Sequence, residues 1–237
     1  MKRILVPSEF GADWQRLLAQ PDVHWQRGKS AMTTAACWEA ATDRLPAEVH
    51  ACLAGANHPA LRGLELLLAV PEWEVSLPGG KTASHTDVLA LARNDEGLVV
   101  LAVEAKVDEE FGPTLGAKRQ EPSPGQVERL QYLHTVLGLA QPLSDHMRYQ
   151  LVHRTASAIL TARAFHAATA VMLVQSFSTE QRWRGDFDAF AEALGTASDK
   201  ASIVGVPGHT RPSLFLAWCA GDQRYRDVDL LTPMPPS

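Results

Sequence analysis

Two segments, Thr86–Arg93 (TDVLALAR) and Leu98–Val107 (LVVLAVEAKV), are apolar at successive positions, the pattern of strands buried on both faces of a sheet. Asn94-Asp95-Glu96-Gly97 between them reads as a hairpin turn. Ahead of them Glu72–Leu77 (EWEVSL) alternates polar and apolar and stops at Pro78-Gly79-Gly80, so a third strand is expected there. Helical spacing predicts a helix over Ser30–Thr42, with Ser30 as N-cap and Cys37 and Trp38 on its apolar side, and another over Pro59–Ala69, ended by Pro71. Beyond the hairpin, Gly112–Gly125 lacks periodicity and reads as a loop. Val127, Leu130, Leu133 and Leu137 then mark a helix over Gln126–Leu137, with Gly138 as its stop. A long helix over Ser144–Phe165, a strand over Ala170–Phe177, a helix over Thr179–Leu194 and a strand over Leu214–Cys219 follow, before a flexible tail at Thr232–Ser237. The order helices, three strands, helices, strand, helix, strand predicts one α/β domain over 1–237, a sandwich with a mixed sheet and its core at about 30–177.

The hairpin places three charged groups together. If Arg93 faces Leu98, paired positions sum to 191, so Asp87 falls opposite Glu104 and His85 opposite Lys106. Directly opposed residues share a face, and Lys106, two residues from Glu104, shares it too. Charges in otherwise apolar strands are costly without partners, and two close carboxylates repel unless a cation joins them. A hard divalent ion such as Mg²⁺, with Mn²⁺ as a substitute, relieves that conflict using one or two carboxylates, water and phosphate oxygens. Lys106 beside it can orient a water or offset charge on a phosphate. The plain alternative is a salt bridge from Glu104 to Lys106 or Arg93 at a strand end.

Asp87 followed by Glu104-Ala105-Lys106 on adjacent strands resembles the PD-(D/E)XK nuclease superfamily, although Thr86 stands where that pattern often has proline. Segments EAKVDEEFGP and RYQLVHRTASA are similar to an uncharacterised bacterial group within it. The resemblance implies a restriction-endonuclease-like three-layer sandwich, its central mixed sheet flanked by helices. It also implies that Asp87 and Glu104, with the Ala105 carbonyl, hold the metal while Lys106 stands beside it. Many enzymes of this fold add an acid from the first helix, for which Glu39 is the candidate, and a glutamine or lysine from the helix after the strands, for which Gln126 is.

Further candidates carry their own ordinary explanations. His85 can tune Lys106 or touch phosphate, or simply be a hydrogen-bonded strand-end histidine. Glu72 and Glu74 share a strand face, and a solvent edge suits them better than a metal. Asp108, Glu109 and Glu110 form a charged strand exit, with Glu109 a remote candidate for a second metal. Arg129 shares a face with Gln126, and Arg148, Tyr149, Gln150, His153 and Arg154 form a polar, basic stripe on the long helix. That stripe fits either nucleic-acid contact, chiefly DNA, or an ordinary solvated face.

Composition narrows the classes. The chain of 237 residues has 46% hydrophobic and 21% charged residues, ordinary for a globular enzyme. A net charge of −5 argues against a protein that grips nucleic acid by bulk charge. Cys37, Cys52 and Cys219 form no CxxC pair, the nine histidines show no HExxH or HxH, and Gly28-Lys29-Ser30 lacks the preceding glycine and strand of a phosphate loop. No apolar run approaches a membrane span, and MKRILVPSEF breaks at Pro7 without the apolar core of a signal peptide, so a cytoplasmic protein with reduced thiols is expected. The leading reading is a Mg²⁺-dependent nuclease acting on DNA. A non-catalytic nucleic-acid-binding or assembly module, with a possible homodimer or protein partner, and a hydrolase of small phosphate esters stand beside it.

Overall fold

The structure is a computed structural model and describes residues 10–197 and 201–230; the expected tail at 232–237 lies outside them. Its centre is one six-stranded sheet built from β1 (Glu65–Val75), β2 (Ser84–Asn94), β3 (Gly97–Lys106), β4 (Thr169–Ser176), β5 (Ile203–Thr210) and β6 (Ser213–Ala220). The strand order is β1-β2-β3-β4-β6-β5. β1, β2 and β3 are antiparallel neighbours, β4 lies parallel to both β3 and β6, and β5 closes the far edge antiparallel to β6. Helices α1 (Pro21–His24), α2 (Ser30–Ala41), α3 (Ala47–Gly55), α4 (Leu115–Arg119), α5 (Pro124–Val136), α6 (Tyr149–Ala164) and α7 (Arg184–Ala193) complete the regular structure with three short 3-10 turns.

Alternation along the strands divides the core into two layers. Val88, Ala90, Leu101, Val103 and Leu173 pack with Met32, Trp38 and Leu53 of α2 and α3 on one face. Leu89, Leu91, Val100, Ala102 and Met172 pack with Leu133, Leu151, Ile159 and Phe190 of α5, α6 and α7 on the other. Helices on both faces of a mixed sheet make an α/β three-layer sandwich. Among the described residues no helix is long and apolar enough to cross a membrane.

The helix expected over Pro59–Ala69 is instead a 3-10 turn at Pro59–Leu61 followed by the first half of β1. The run Leu66-Leu67-Leu68-Ala69-Val70 fits either period, and pairing with β2 decides it, with a bulge between Leu66 and Leu68 absorbing the mismatch. Pro71 is tolerated because β1 is an edge strand. The loop expected over Gly112–Gly125 contains α4, and three elements escape the apolar pattern altogether: the short α1, α3, and β5, whose Gly205, Pro207 and Gly208 suit an exposed edge. The long helix and the last one are shorter than expected, starting at Tyr149 and Arg184.

Ser30 does not cap α2. The N-cap is Lys29, and the Glu109 carboxylate accepts from the Ser30 N–H at 3.0 Å and from Val107 N–H at 3.0 Å. The strand exit thus ties β3 to the start of α2. Burial pushes the Glu109 carboxyl up, but bonds from the N–H groups of Ser30, Glu109 itself and Val107 outweigh it and hold the group below its usual range.

Candidate active site at the end of the central hairpin

The β2–β3 ladder runs from Asn94↔Gly97 to Val88↔Val103, every pair summing to 191. There it stops. β3 continues beside β4 as far as Lys106↔Ser176, and β2 continues beside β1 as far as Ser84↔Val75. Between the diverging strands the Asp87 carboxylate replaces the ladder, with Oδ2 accepting from the Ala105 N–H at 2.7 Å. The ladder thus ends one pair short of the expected pairing of Asp87 with Glu104, and the bond from the Ala105 N–H to Asp87 bridges the splayed end instead. His85 pairs with Glu74 across β1 and lies 3.7 Å from its carboxylate, so its polar neighbour is Glu74 rather than the expected Lys106.

The parity of β2 and β3 turns Asp87, Glu104 and Lys106 toward α6, and all three line a cleft of ≈ 520 Å³. Glu104 is buried and meets three donors. Its Oε1 accepts from Lys106 Nζ and Gln150 Nε2, each at 2.7 Å, and its Oε2 from Arg154 Nε at 2.5 Å. Gln150 and Arg154 are i,i+4 neighbours on α6, so one helical face supplies two donors to one carboxylate. Arg154 Nη1 also donates to Ser84 Oγ at 3.1 Å, and Ser84 Oγ lies 2.8 Å from both His153 Nδ1 and Ser157 Oγ.

Electrostatics divides the carboxylates. Burial would raise Glu104, but the Arg154 and Lys106 charges outweigh it and hold the group at about 2. Asp87 is pushed up to about 7, by burial and then by the Glu104 charge. Glu72, which falls opposite Asp87 between the ladder pairs Pro71↔Val88 and Trp73↔Thr86, is pushed up to about 8 by burial and by Asp87. Its backbone is left-handed, φ 50°, inside an extended strand, and it lines the same cleft rather than the solvent edge expected of it. The cations are thus gathered on Glu104, while two carboxylates beside it are short of positive charge.

Several expected residues lie elsewhere or are engaged differently. Glu39 accepts from Trp14 Nε1 at 2.7 Å and does not line the cleft, which α2 reaches only with Ser30 and Ala31 at its start. Gln126 lines a neighbouring hollow instead of the carboxylates, and Gln150 is the glutamine that reaches Glu104. Arg129 donates to the Pro78 and Leu77 carbonyls at 2.9 and 3.2 Å, fastening the loop after β1. Arg148 donates to Asp186, Glu110 and the Gly112 carbonyl, and its guanidinium lies over the Trp183 ring. Arg154 is buried against Glu104 and faces the cleft rather than a solvated helix surface. His153 borders the cleft and is held well below its usual range, first by burial and then by Arg154, so it is neutral at pH 7. A stripe read as basic from helical spacing is thus largely the internal wiring of the site.

Ala105 sits between its two functional neighbours, buried, with its N–H held by Asp87. Among the described residues no group of three or more His, Cys, Asp or Glu side chains is gathered closely enough to hold a metal by protein ligands alone. The three cysteines are free thiols.

Fold and site define an α/β protein whose mixed sheet opens at one end onto a buried acid–base cluster. The chain belongs to the family described as Domain of unknown function (DUF6946), whose model matches residues 7–223. No curated protein and no solved structure matches it.

Proposed function

We propose that this chain is a Mg²⁺-dependent nuclease of PD-(D/E)XK type that hydrolyses DNA phosphodiester bonds in the cytoplasm. The observation that carries the reading is the opening of β2 from β3 where Asp87, Glu104 and Lys106 line one cleft. The donor set suits a hard oxygen-seeking ion: Asp87 and Glu104, with the Ala105 carbonyl, would hold it, and water and phosphate oxygens complete the shell that Mg²⁺ prefers. The crowding that pushes Asp87 and Glu72 up to about 7 and 8 is the conflict such an ion relieves. When bound, the ion supplies activation of water and neutralisation of phosphate charge.

The protein's own groups divide the remaining work. Lys106, 2.7 Å from Glu104, orients the attacking water and offsets charge at the phosphate. Arg154 and Gln150 fix the Glu104 carboxylate from behind, so its orientation does not depend on the ligand. Asp87, anchored through one oxygen to Ala105 N–H, presents its carboxylate at the splayed edge.

The test is cleavage of plasmid, linear duplex and single-stranded DNA with Mg²⁺ or Mn²⁺. Asp87→Ala and Lys106→Ala are each expected to reduce cutting by at least about a hundredfold with the melting transition retained. Cutting unchanged in both variants sinks the assignment.

One observation favours a second reading. Glu104 already accepts from three donors, as in a structural buried ion pair, which suits a nucleic-acid-binding or assembly module with no metal chemistry. Mn²⁺ titration separates the two, since a catalytic site binds the ion through Asp87 and a scaffold does not.

A further inference from the structure

The cleft does not end at the carboxylates. A second hollow of ≈ 410 Å³ adjoins it, and Lys118, Tyr149 and His153 line both. Tyr149 and His153 stand one turn apart on α6 with ring centroids 4.8 Å apart, and Lys118 Nζ lies 5.3 Å from the Tyr149 centroid. All three side chains are half-buried, so they reach solvent without being loose on the surface.

The wall opposite is built to close tolerance. A Cβ on Gly79 would stand 1.9 Å from the Gly125 carbonyl oxygen, and Arg129 binds the successive carbonyls of Leu77 and Pro78. The loop after β1 is thereby pressed onto the start of α5, leaving an aromatic and cationic passage between that loop and α6.

The residues present select among ligands. Arg129, Arg148 and Arg154 are bonded to protein acceptors, so they do not form a cationic track for a duplex backbone. A tyrosine ring beside an ammonium on a flexible stem suits a different ligand. The ring stacks on a base whose face is uncovered, and the ammonium, held over the ring by a weak cation–π contact, moves to the adjoining phosphate. Bases inside a duplex have their faces covered by neighbours, whereas a single strand offers them.

We propose that the second hollow is a subsite for an unstacked base of a single-stranded nucleic acid, with Tyr149 as the stacking surface and Lys118 as the phosphate contact. It rests on the nucleic-acid substrate proposed above, and binding without turnover tests it separately from cleavage.

The experiment measures fluorescence anisotropy of a short labelled oligothymidylate with the full chain in EDTA, where no metal-dependent cutting occurs. A duplex of equal length and thymidine monophosphate serve as competitors. The oligomer is expected to bind at least about tenfold tighter than the duplex. Tyr149→Ala weakens it about tenfold, Tyr149→Phe restores it, and Lys118→Gln weakens it and lowers the salt slope by about one. Melting curves verify that each variant is folded. A folded Tyr149→Ala chain that binds like the parent, a duplex that competes equally, a mononucleotide as effective as the strand, or no binding at all overturns the proposal. In each of those cases the cleavage assay still decides the nuclease reading. Conversely, Tyr149-dependent strand binding without any metal-dependent cutting leaves the subsite standing and removes the nuclease.

Discussion

Arg154 and Glu104 form a buried ion pair, Nε to Oε2 at 2.5 Å, across fifty residues of sequence and between α6 and β3. Two charges removed from water gain little stability as a pair, but either one left alone is costly. Arg154→Ala leaves Glu104 with Lys106 and Gln150 as its remaining donors and is expected to destabilise the fold by about 3 kcal/mol, the low end for a broken buried pair, read as a lower urea midpoint. Arg154→Lys, which keeps a charge but loses the second donor to Ser84, falls between. A midpoint unchanged in Arg154→Ala shows that the pair does not hold β3 to α6.

Metal-free stability is expected to depend on pH through the crowded carboxylates. Asp87 and Glu72 are raised, from ordinary values of 3.8 and 4.5, to about 7 and 8, so the folded chain holds protons that the unfolded chain has released. Their contribution is fully present below about pH 4 and is lost as pH rises toward 8. Glu104, held at about 2, acts in the opposite sense: its contribution is present above about pH 4.5 and is lost as pH falls toward 2. Mn²⁺ competes with the protons on Asp87, so its thermal stabilisation should be larger at pH 8 than at pH 5.5 and should vanish in Asp87→Asn. That variant, lacking the repulsion, should also melt higher than the parent at pH 8 without metal. Differential scanning fluorimetry at the two pH values decides it, and equal metal shifts in parent and variant contradict it.

The part of the site legible in the sequence is the part made by the hairpin. A four-residue turn and strict period-two parity put Asp87, Glu104 and Lys106 on one face before any tertiary contact is known. What surrounds them was hidden for physical reasons. Gln150 and Arg154 reach Glu104 across about fifty positions, and helical spacing shows only that they share a face, not what that face meets. Arg148 and Arg129 look like free cations until Asp186 and the Leu77 and Pro78 carbonyls are brought to them. Glu72 enters the cleft through a left-handed residue, which no alternation pattern reports. An apolar run that fits two periods hides the first half of β1 within Pro59–Ala69, and the glycine and proline of an edge strand hide β5.

Gly79 and Gly63 make a matched pair of tests. Both have left-handed φ, 75° and 61°, but a Cβ at Gly63 meets nothing within 4 Å, whereas at Gly79 it meets the Gly125 carbonyl. Gly63→Ala should cost only the backbone strain, about 1–2 kcal/mol. Gly79→Ala adds a collision of backbone with backbone and should cost clearly more, with the loop after β1 shifted off α5. Urea denaturation of both variants gives the comparison, and equal losses would show that the close approach to Gly125 is unimportant.

Glu109 caps α2 from outside the helix, and this separates it from the residue that local sequence points to. Ser30 is the first helical residue, and its own N–H is one of the unpaired donors at the helix start. Replacing Glu109 by alanine strands the Ser30 and Val107 N–H groups and removes a negative charge from the helix N-terminus. A loss of about 1–2 kcal/mol is expected, the size of a lost N-cap. Ser30→Ala should stay within about 0.5 kcal/mol, since the side chain supplies no capping bond. Glu109→Gln retains an acceptor but not the charge, and should recover part of the loss. Because the group sits below its usual carboxylate range, the Glu109 contribution is present at neutral pH and disappears as acid protonates it. Denaturant midpoints of the three variants at pH 7 check the ranking, and a Ser30→Ala cost as large as that of Glu109→Ala would return the capping role to the serine.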